Sequence, residues 1–244
     1  MVTPSRPAHE LPISVGDSPQ PVPRHIAVLP DGNRRWARAH GLPLARAVER
    51  STDRVLALVR WCQEAGIEVL SGWSSSPDNL AKRDPDELEM ILRQTTETVG
   101  LVAATRLARI RPIGDLDMLP RYLSDQLRAA ARETADIDGM TMNIGAAYNG
   151  RQDLLRAMRA CLTDGITPGR LTEQDIESRL STSGQPPVDL LVRTSGEHRL
   201  SGFMPWQTAD CELYFTSTLW QDFTREDFDR ALADYAARDR RHGA

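Results

Sequence analysis

The sequence predicts an α/β fold, a mostly parallel six-stranded sheet flanked by helices. Three observations point there. Short apolar runs of strand length recur along the chain, segments with helical periodicity lie between them, and polar clusters follow the runs where a parallel sheet presents its carboxyl ends. With 244 residues, 40% of them apolar, the chain is long enough for one sizeable core.

Residues 1–23 carry six prolines (4, 7, 12, 19, 21 and 23) without apolar periodicity, and are expected to form a disordered leader. Residues 24–244 then form a single domain, because no linker or repeat interrupts the alternation. The first strand is "HIAVL" (25–29), and the basic stretch after it turns helical. A helix follows over 44–65, where Val55, Leu58, Val59 and Cys62 share one face at i, i+3, i+4 and i+7. Further strands are expected at 67–73, 108–114, 140–148, 188–193 and 212–216, and further helices at 85–107, 117–136, 150–163, 172–180 and 224–240.

Thirty basic against 34 acidic residues leave a net charge of −4, which argues against a nucleic-acid partner and makes any basic site local. Cys62, Cys161 and Cys211 are odd in number and widely spaced, with neither a disulfide nor a metal-knuckle pattern. They are read as small buried hydrophobes in a cytoplasmic protein. Neither a signal peptide nor a membrane-spanning run is evident, so membrane contact is not required.

Ligands of open parallel sheets sit beyond the carboxyl ends of the strands. "PDGN", "SSSPDN", "YNGR" and "RTSGEHRLS" each follow an expected strand. In "PDGNRRWA", a carboxylate at a strand end can hold Mg²⁺ against a phosphate. The next helix adds backbone donors, with Arg35 and Arg38 as counter-charges, although an Asp-Gly alone is usually only a turn. In "VRTSGEHRLS", Arg193, Arg199 and Ser201 suit a diphosphate, or else a solvated capping loop. Glu212 is an acid inside an apolar stretch, costly unless paired or metal-bound, and His198 is placed to assist it. The Walker-type loop and G-x-G-x-x-G fingerprint are absent from the sequence. Two phosphate-like sites without a nucleotide motif suggest a pair of small diphosphates.

Together "HIAVLPDGNRRWA", "SSSPDN", "AAYNGRQDLL" and "VRTSGEHRLSGFMPWQTADCELYF" resemble the cis-prenyltransferases, the family of undecaprenyl diphosphate synthase, in order from about residue 25 to 243. The resemblance implies a homodimer and Mg²⁺-dependent joining of an allylic diphosphate to a second five-carbon diphosphate. It assigns Asp31 to the magnesium–diphosphate of the allylic substrate. Gly32, Asn33, Arg34 and Arg35 line the phosphate loop, with Arg38 one turn on and Asn33 relaying the departing proton. Ser76 and Asn79 match the polar pair beside the reacting carbons. Arg193, Arg199 and Ser201 match the second diphosphate site, and Glu212 with His198 a metal or metal-water ligand. Arg241 and Gly243 match an Arg-x-Gly ending that reaches the neighbouring subunit.

Several positions depart from that pattern. Pro30 replaces the usual Met or Cys, and Leu44, Ala47 and Val48 stand for an arginine and a Gly-His pair, with Arg46 nearby as a possible substitute charge. Ser74 and Ser75 replace apolar residues, giving a serine-lined wall ill-suited to a long hydrocarbon, and Leu80 replaces a frequent Trp. These departures favour a short product of about C10–C15, slightly preferred as irregular head-to-middle (lavandulyl-type) coupling with dimethylallyl diphosphate as acceptor. The alternatives are regular head-to-tail synthesis of Z,E-farnesyl diphosphate from isopentenyl diphosphate, and a non-catalytic partner subunit.

Overall fold

The computed structural model describes residues 21–239. The expected leader, apart from residues 21–23, and the Arg241 and Gly243 ending lie outside the described residues. Six strands form one sheet: His25–Leu29 (β1), Val69–Trp73 (β2), Arg109–Ile113 (β3), Thr141–Gly145 (β4), Leu190–Arg193 (β5) and Glu212–Phe215 (β6). The order is β3-β4-β2-β1-β5-β6, and every pairing is parallel.

The strands are apolar runs because both faces of the sheet are covered. In β1, Ile26 and Val28 face a core that includes Leu58, Val59 and Val99, while Ala27 and Leu29 face a second cluster with Tyr148, Leu191 and Phe203. Each fully buried side chain of this size contributes about 1.5–3 kcal/mol. The helices are Asn33–His40 (α1), Leu44–Glu64 (α2), Pro77–Lys82 (α3), Pro85–Thr105 (α4), Arg121–Glu133 (α5), Gly150–Thr163 (α6), Glu173–Glu177 (α7) and Arg225–Ala237 (α8). Helix α1 stops at Gly41, whose left-handed backbone (φ 63°) turns the chain out of the helix.

Local chemistry explains where elements are shorter than their patterns. The helix expected over 117–136 starts only at Arg121, because Pro120 caps it after the 3₁₀ turn Leu116–Met118. The run 140–148 leaves the sheet at Gly145, and Ala147 then adopts φ 47°, incompatible with a strand. The segment expected as helix over 172–180 shrinks to α7 behind a Thr172–Asp175 capping box. From β1 the chain passes to β2 and on to the edge strand β3, returns to β4 between them, and then crosses to β5 and β6 on the other side of β1. The carboxyl end of β1 is therefore a switch point, where a doubly wound sheet opens a crevice.

Candidate active site

The crevice beyond β1 is a polar cleft of about 620 Å³. It gathers Asp31, Gly32, Asn33, Arg34, Arg35 and Arg38 from the β1–α1 junction, Ser76 and Asn79 from α3 and its cap, and Arg193 and Ser201 from β5 and its loop. The backbone of Asp31 is pinned. Its N–H donates to the Thr194 hydroxyl (2.9 Å), and its carbonyl accepts from the Trp220 N–H (3.1 Å). The carboxylate, 37% exposed, lies 3.3 Å from the Arg193 guanidinium and 3.5 Å from that of Arg35.

Gly32 caps α1 with φ 122° and ψ 0°, a conformation open to glycine, and a Cβ there would come within 3.0 Å of Leu219 Cδ2. No side chain caps α1, so the amides of its first turn and the positive end of its dipole are left to the cleft. Arg34 bonds to Glu87 on α4 (2.9 Å), and Arg83, which also lines the cleft, holds the same carboxylate at 2.8 Å. Arg35 donates to the Ser195 carbonyl (2.6 Å) and pairs with Glu197 (3.2 Å).

Arg193 ends β5, in register with Leu29, and its side chain is 5% exposed. It donates to the Ser201 hydroxyl (2.9 Å) and the Arg199 carbonyl, leaving its buried Nε without a protein partner. Ser195 (φ 76°) and Ser201 (φ 52°) take left-handed conformations that fold the loop back over Arg193. The guanidinium of Arg199 points elsewhere: it is 61% exposed and paired with Glu197. That bond, with Arg35 and Arg193 nearby, holds the Glu197 carboxyl below its ordinary range. Thr194 and Glu197 are organising residues that the sequence reading passed over, although both lie inside the quoted "RTSGEH".

Ser76 and Asn79 meet each other first. They form a capping box for α3, Asn79 N–H to Ser76 Oγ at 3.1 Å and Ser76 N–H to Asn79 Oδ1 at 3.2 Å. The Ser76 hydroxyl proton and the Asn79 NH₂ group remain for a ligand. Of the expected serine wall, Ser74 stands at the cleft and bonds Thr95 (3.2 Å), whereas Ser75 is buried and accepts the Ala147 N–H (3.0 Å). The wall is thus one serine, not two.

Pro30, Asn33, Trp73, Ser74 and Ile91 line this cleft and also a mainly apolar cavity of about 160 Å³ that descends between the sheet and helices α2 and α4. Val48, Val55, Val99, Val102, Met142 and Ile144 give it apolar walls. Thr52, Thr98 and Gln94 cross it as a hydrogen-bonded group, at 2.7 and 3.0 Å. A cleft rich in arginine opening onto an apolar cavity fits an amphiphile with an anionic head and a hydrocarbon tail.

Within one chain the structure sets Glu212 apart from Asp31. Glu212 opens β6 opposite Leu190, level with Ile26 in the sheet, whereas Asp31 lies beyond the other end. Its carboxylate is held by Arg238 at the end of α8, and His198 packs on Phe215, whose ring lies 4.8 Å away at the far end of β6. In "YNGR", Asn149 caps α6, accepting from the Arg151 and Gln152 amides (3.0 and 3.3 Å), away from the cleft at Asp31.

Among the described residues no three His, Cys, Asp or Glu side chains assemble into a metal site. A lone carboxylate beside an anion seat still fits Mg²⁺, which takes one or two protein carboxylates and fills its shell with water and substrate phosphate oxygens. Asp31 is the group that would hold it.

Residues 29–243 match the sequence profile of the family described as "Putative undecaprenyl diphosphate synthase". The short-chain Z-isoprenyl diphosphate synthase of Mycobacterium leprae is 41% identical over 232 residues, 91% of this chain and 88% of that protein. The (2Z,6E)-farnesyl diphosphate synthase of Mycolicibacterium smegmatis is 42% identical over 233 residues, again 91% and 88% of the two chains. Among solved structures, lavandulyl diphosphate synthase from Lavandula x intermedia, in complex with dimethylallyl diphosphate, superposes with a TM-score of 0.86 at 32% identity, covering 91% of this chain and 99% of that one. The all-parallel sheet and its cleft are thus those of a prenyl-transferring enzyme, and the chain belongs to the undecaprenyl diphosphate synthase family of cis-prenyltransferases.

Proposed function

We propose that this enzyme is a short-chain, regular cis-prenyltransferase that joins geranyl diphosphate to isopentenyl diphosphate and releases Z,E-farnesyl diphosphate. The observation that carries this reading is the limited apolar cavity opening from the arginine-rich cleft. At about 160 Å³ it is close to the roughly 150 Å³ that accommodates a benzene-sized guest, and polar groups cross it, so it suits a short hydrocarbon better than a long one. The relatives at 41% and 42% identity bear names of the same kind.

In this reading the allylic diphosphate lies between Asp31, the first turn of α1, Arg35 and Arg38. The acceptor's diphosphate lies on Arg193 and Ser201, within reach of Arg199 if its exposed side chain turns. The allylic C–O bond breaks as diphosphate leaves, and the arginines and helix amides stabilise the departing charge. The acceptor double bond attacks the allylic carbon, a new C–C bond forms, and the adjacent C–H proton passes to the released diphosphate. No strong protein base is required. Mg²⁺ on Asp31 would supply further charge stabilisation for the leaving group. A homodimer is part of the same proposal.

The likeness to lavandulyl diphosphate synthase is what favours the second reading, head-to-middle coupling with dimethylallyl diphosphate as acceptor. The relatives of higher identity weigh towards the regular reaction. Offering the purified chain dimethylallyl, geranyl and isopentenyl diphosphates in all pairs with Mg²⁺ separates them. A C15 product from geranyl plus isopentenyl diphosphate supports the regular reading. Product formed only in mixtures without isopentenyl diphosphate would support the irregular one, and no turnover in any pair would leave a non-catalytic subunit.

A further inference from the structure

Asn33, the first residue of α1, lines both the cleft and the apolar cavity, so it stands where head group and hydrocarbon of a bound prenyl diphosphate would meet. Its carboxamide is not free to turn. The Oδ1 atom faces the Nε2 of Gln221 in a very short hydrogen bond and the Ser51 hydroxyl at 3.1 Å, whose one proton it shares with the Ala47 carbonyl at 3.0 Å. Gln221 is fully buried, and its Nε2 also lies 2.9 Å from Ser51 Oγ and 3.3 Å from the Ala47 carbonyl.

The Ala47 carbonyl decides which way round both amides sit. Were Gln221 reversed, its oxygen would face that carbonyl, two acceptors with no proton between them. Gln221 therefore presents NH₂ to Ala47 and Asn33, Asn33 answers with its oxygen, and the Asn33 NH₂ is what remains for the cleft. The other end of Gln221 carries a cost: its Oε1 is buried without a partner. A fully buried glutamine left half-satisfied is a poor choice for packing alone, and its satisfied half is spent on a residue of the cleft.

We propose that Gln221 is a positioning residue for prenyl transfer, which together with Ser51 locks the Asn33 carboxamide so that Asn33 serves the cleft only as an N–H donor to a diphosphate oxygen. An oxygen already engaged by the buried Gln221 N–H, with the Ser51 hydroxyl beside it, is badly placed to take up a proton, so this assignment replaces the proton relay that the family resemblance suggests for Asn33. The leaving diphosphate receives the proton directly, and the Asn33 N–H stabilises charge on it. The catalytic part of this inference rests on the function proposed above; the orientation of the amide does not.

The test is a double-mutant cycle on the full chain with Gln221→Met and Asn33→Ala, read as steady-state kinetics and as calorimetric affinity for inorganic pyrophosphate with Mg²⁺. With Asn33 present, Gln221→Met is expected to lower kcat about tenfold or more with little change in acceptor KM, and to weaken pyrophosphate binding several-fold. In the Asn33→Ala background the same change is expected to have an effect within about twofold. Equal losses in both backgrounds would assign Gln221 a purely structural role and overturn the proposal, as would unchanged kcat and pyrophosphate affinity in the single variant. Should Gln221→Met not fold, Ser51→Ala carries the same cycle with a smaller expected loss. If the native chain turns over no prenyl diphosphate pair, the proposed function fails, and the pyrophosphate cycle still decides the amide lock.

Discussion

Replacing Asp31 by asparagine removes one negative charge from the cleft with little change in its shape. The carboxylate oxygens lie 3.3 and 3.5 Å from the guanidinium groups of Arg193 and Arg35, so a diphosphate oxygen accepting from those same groups would sit roughly 5 Å from the Asp31 charge. Two like unit charges at about 5 Å repel by roughly 3 kcal/mol at an effective dielectric constant of about 20. Asp31 is 37% exposed, so solvent screening reduces this to about 1–2 kcal/mol, or roughly five- to thirtyfold in affinity. In a chelator, Asp31→Asn is therefore expected to bind inorganic pyrophosphate about tenfold more tightly than the native chain. Adding Mg²⁺ is expected to tighten binding strongly in the native protein and only weakly in the variant, reversing their order. Titration calorimetry in chelator and then in Mg²⁺ gives all four constants. If the variant binds no more tightly in chelator, or gains as much from Mg²⁺ as the native chain, Asp31 is not the group that couples cation and diphosphate.

Three further outcomes follow from the geometry. A Cβ at Gly72 would meet nothing within 4 Å and would enter the apolar cavity, so Gly72→Val is expected to fold normally. It should raise KM for geranyl diphosphate about tenfold while sparing dimethylallyl diphosphate; equal effects on both would show that the cavity does not hold the hydrocarbon. Gly32→Ala forces a side chain into φ 122° against Leu219, and is expected to cost about 1–3 kcal/mol in urea unfolding. A cost near zero would contradict that backbone assignment. His25 is fully buried, with Nδ1 2.9 Å from the Pro186 carbonyl and Nε2 2.8 Å from Ser71 Oγ, and burial pushes its pKa below the ordinary 6.5. The unfolded chain then takes up this proton first on acidification, so the stability contribution is complete above about pH 6.5 and is lost as pH falls towards the folded pKa. Urea midpoints between pH 7.5 and 5 are expected to fall in the native chain and to fall less in His25→Asn; parallel curves would refute the assignment.

The strands were legible because a parallel sheet covered on both faces writes itself as apolar runs, and β1 matches its run of 25–29 residue for residue. The cleft was partly legible for a related reason: chemistry collects at the carboxyl ends of such strands, which brings Asp31 and Arg193 together across 162 positions of sequence. The ion-pair partner of Glu212 was not legible, because Arg238, at the end of α8, comes beside β6 only in the folded chain. The capping role of Asn149 was hidden because a helix cap and a ligand loop draw on the same residue types. Gln221 carried no signal at all, since nothing in "LWQDF" shows that its side chain reaches Asn33, 188 positions earlier. Head-to-middle coupling was favoured from a few substituted positions, and Ser75 shows the weakness of that inference: it serves the Ala147 amide instead of lining the cavity.

The most direct test is a co-crystal structure with Mg²⁺, isopentenyl diphosphate and an unreactive thio-analogue of geranyl diphosphate. One diphosphate is expected against Asp31 and the first turn of α1, the other on Arg193 and Ser201, with the geranyl chain running past Asn33 towards Thr98. A geranyl chain outside that cavity, or an Arg193 without phosphate at saturating ligand, would contradict the account.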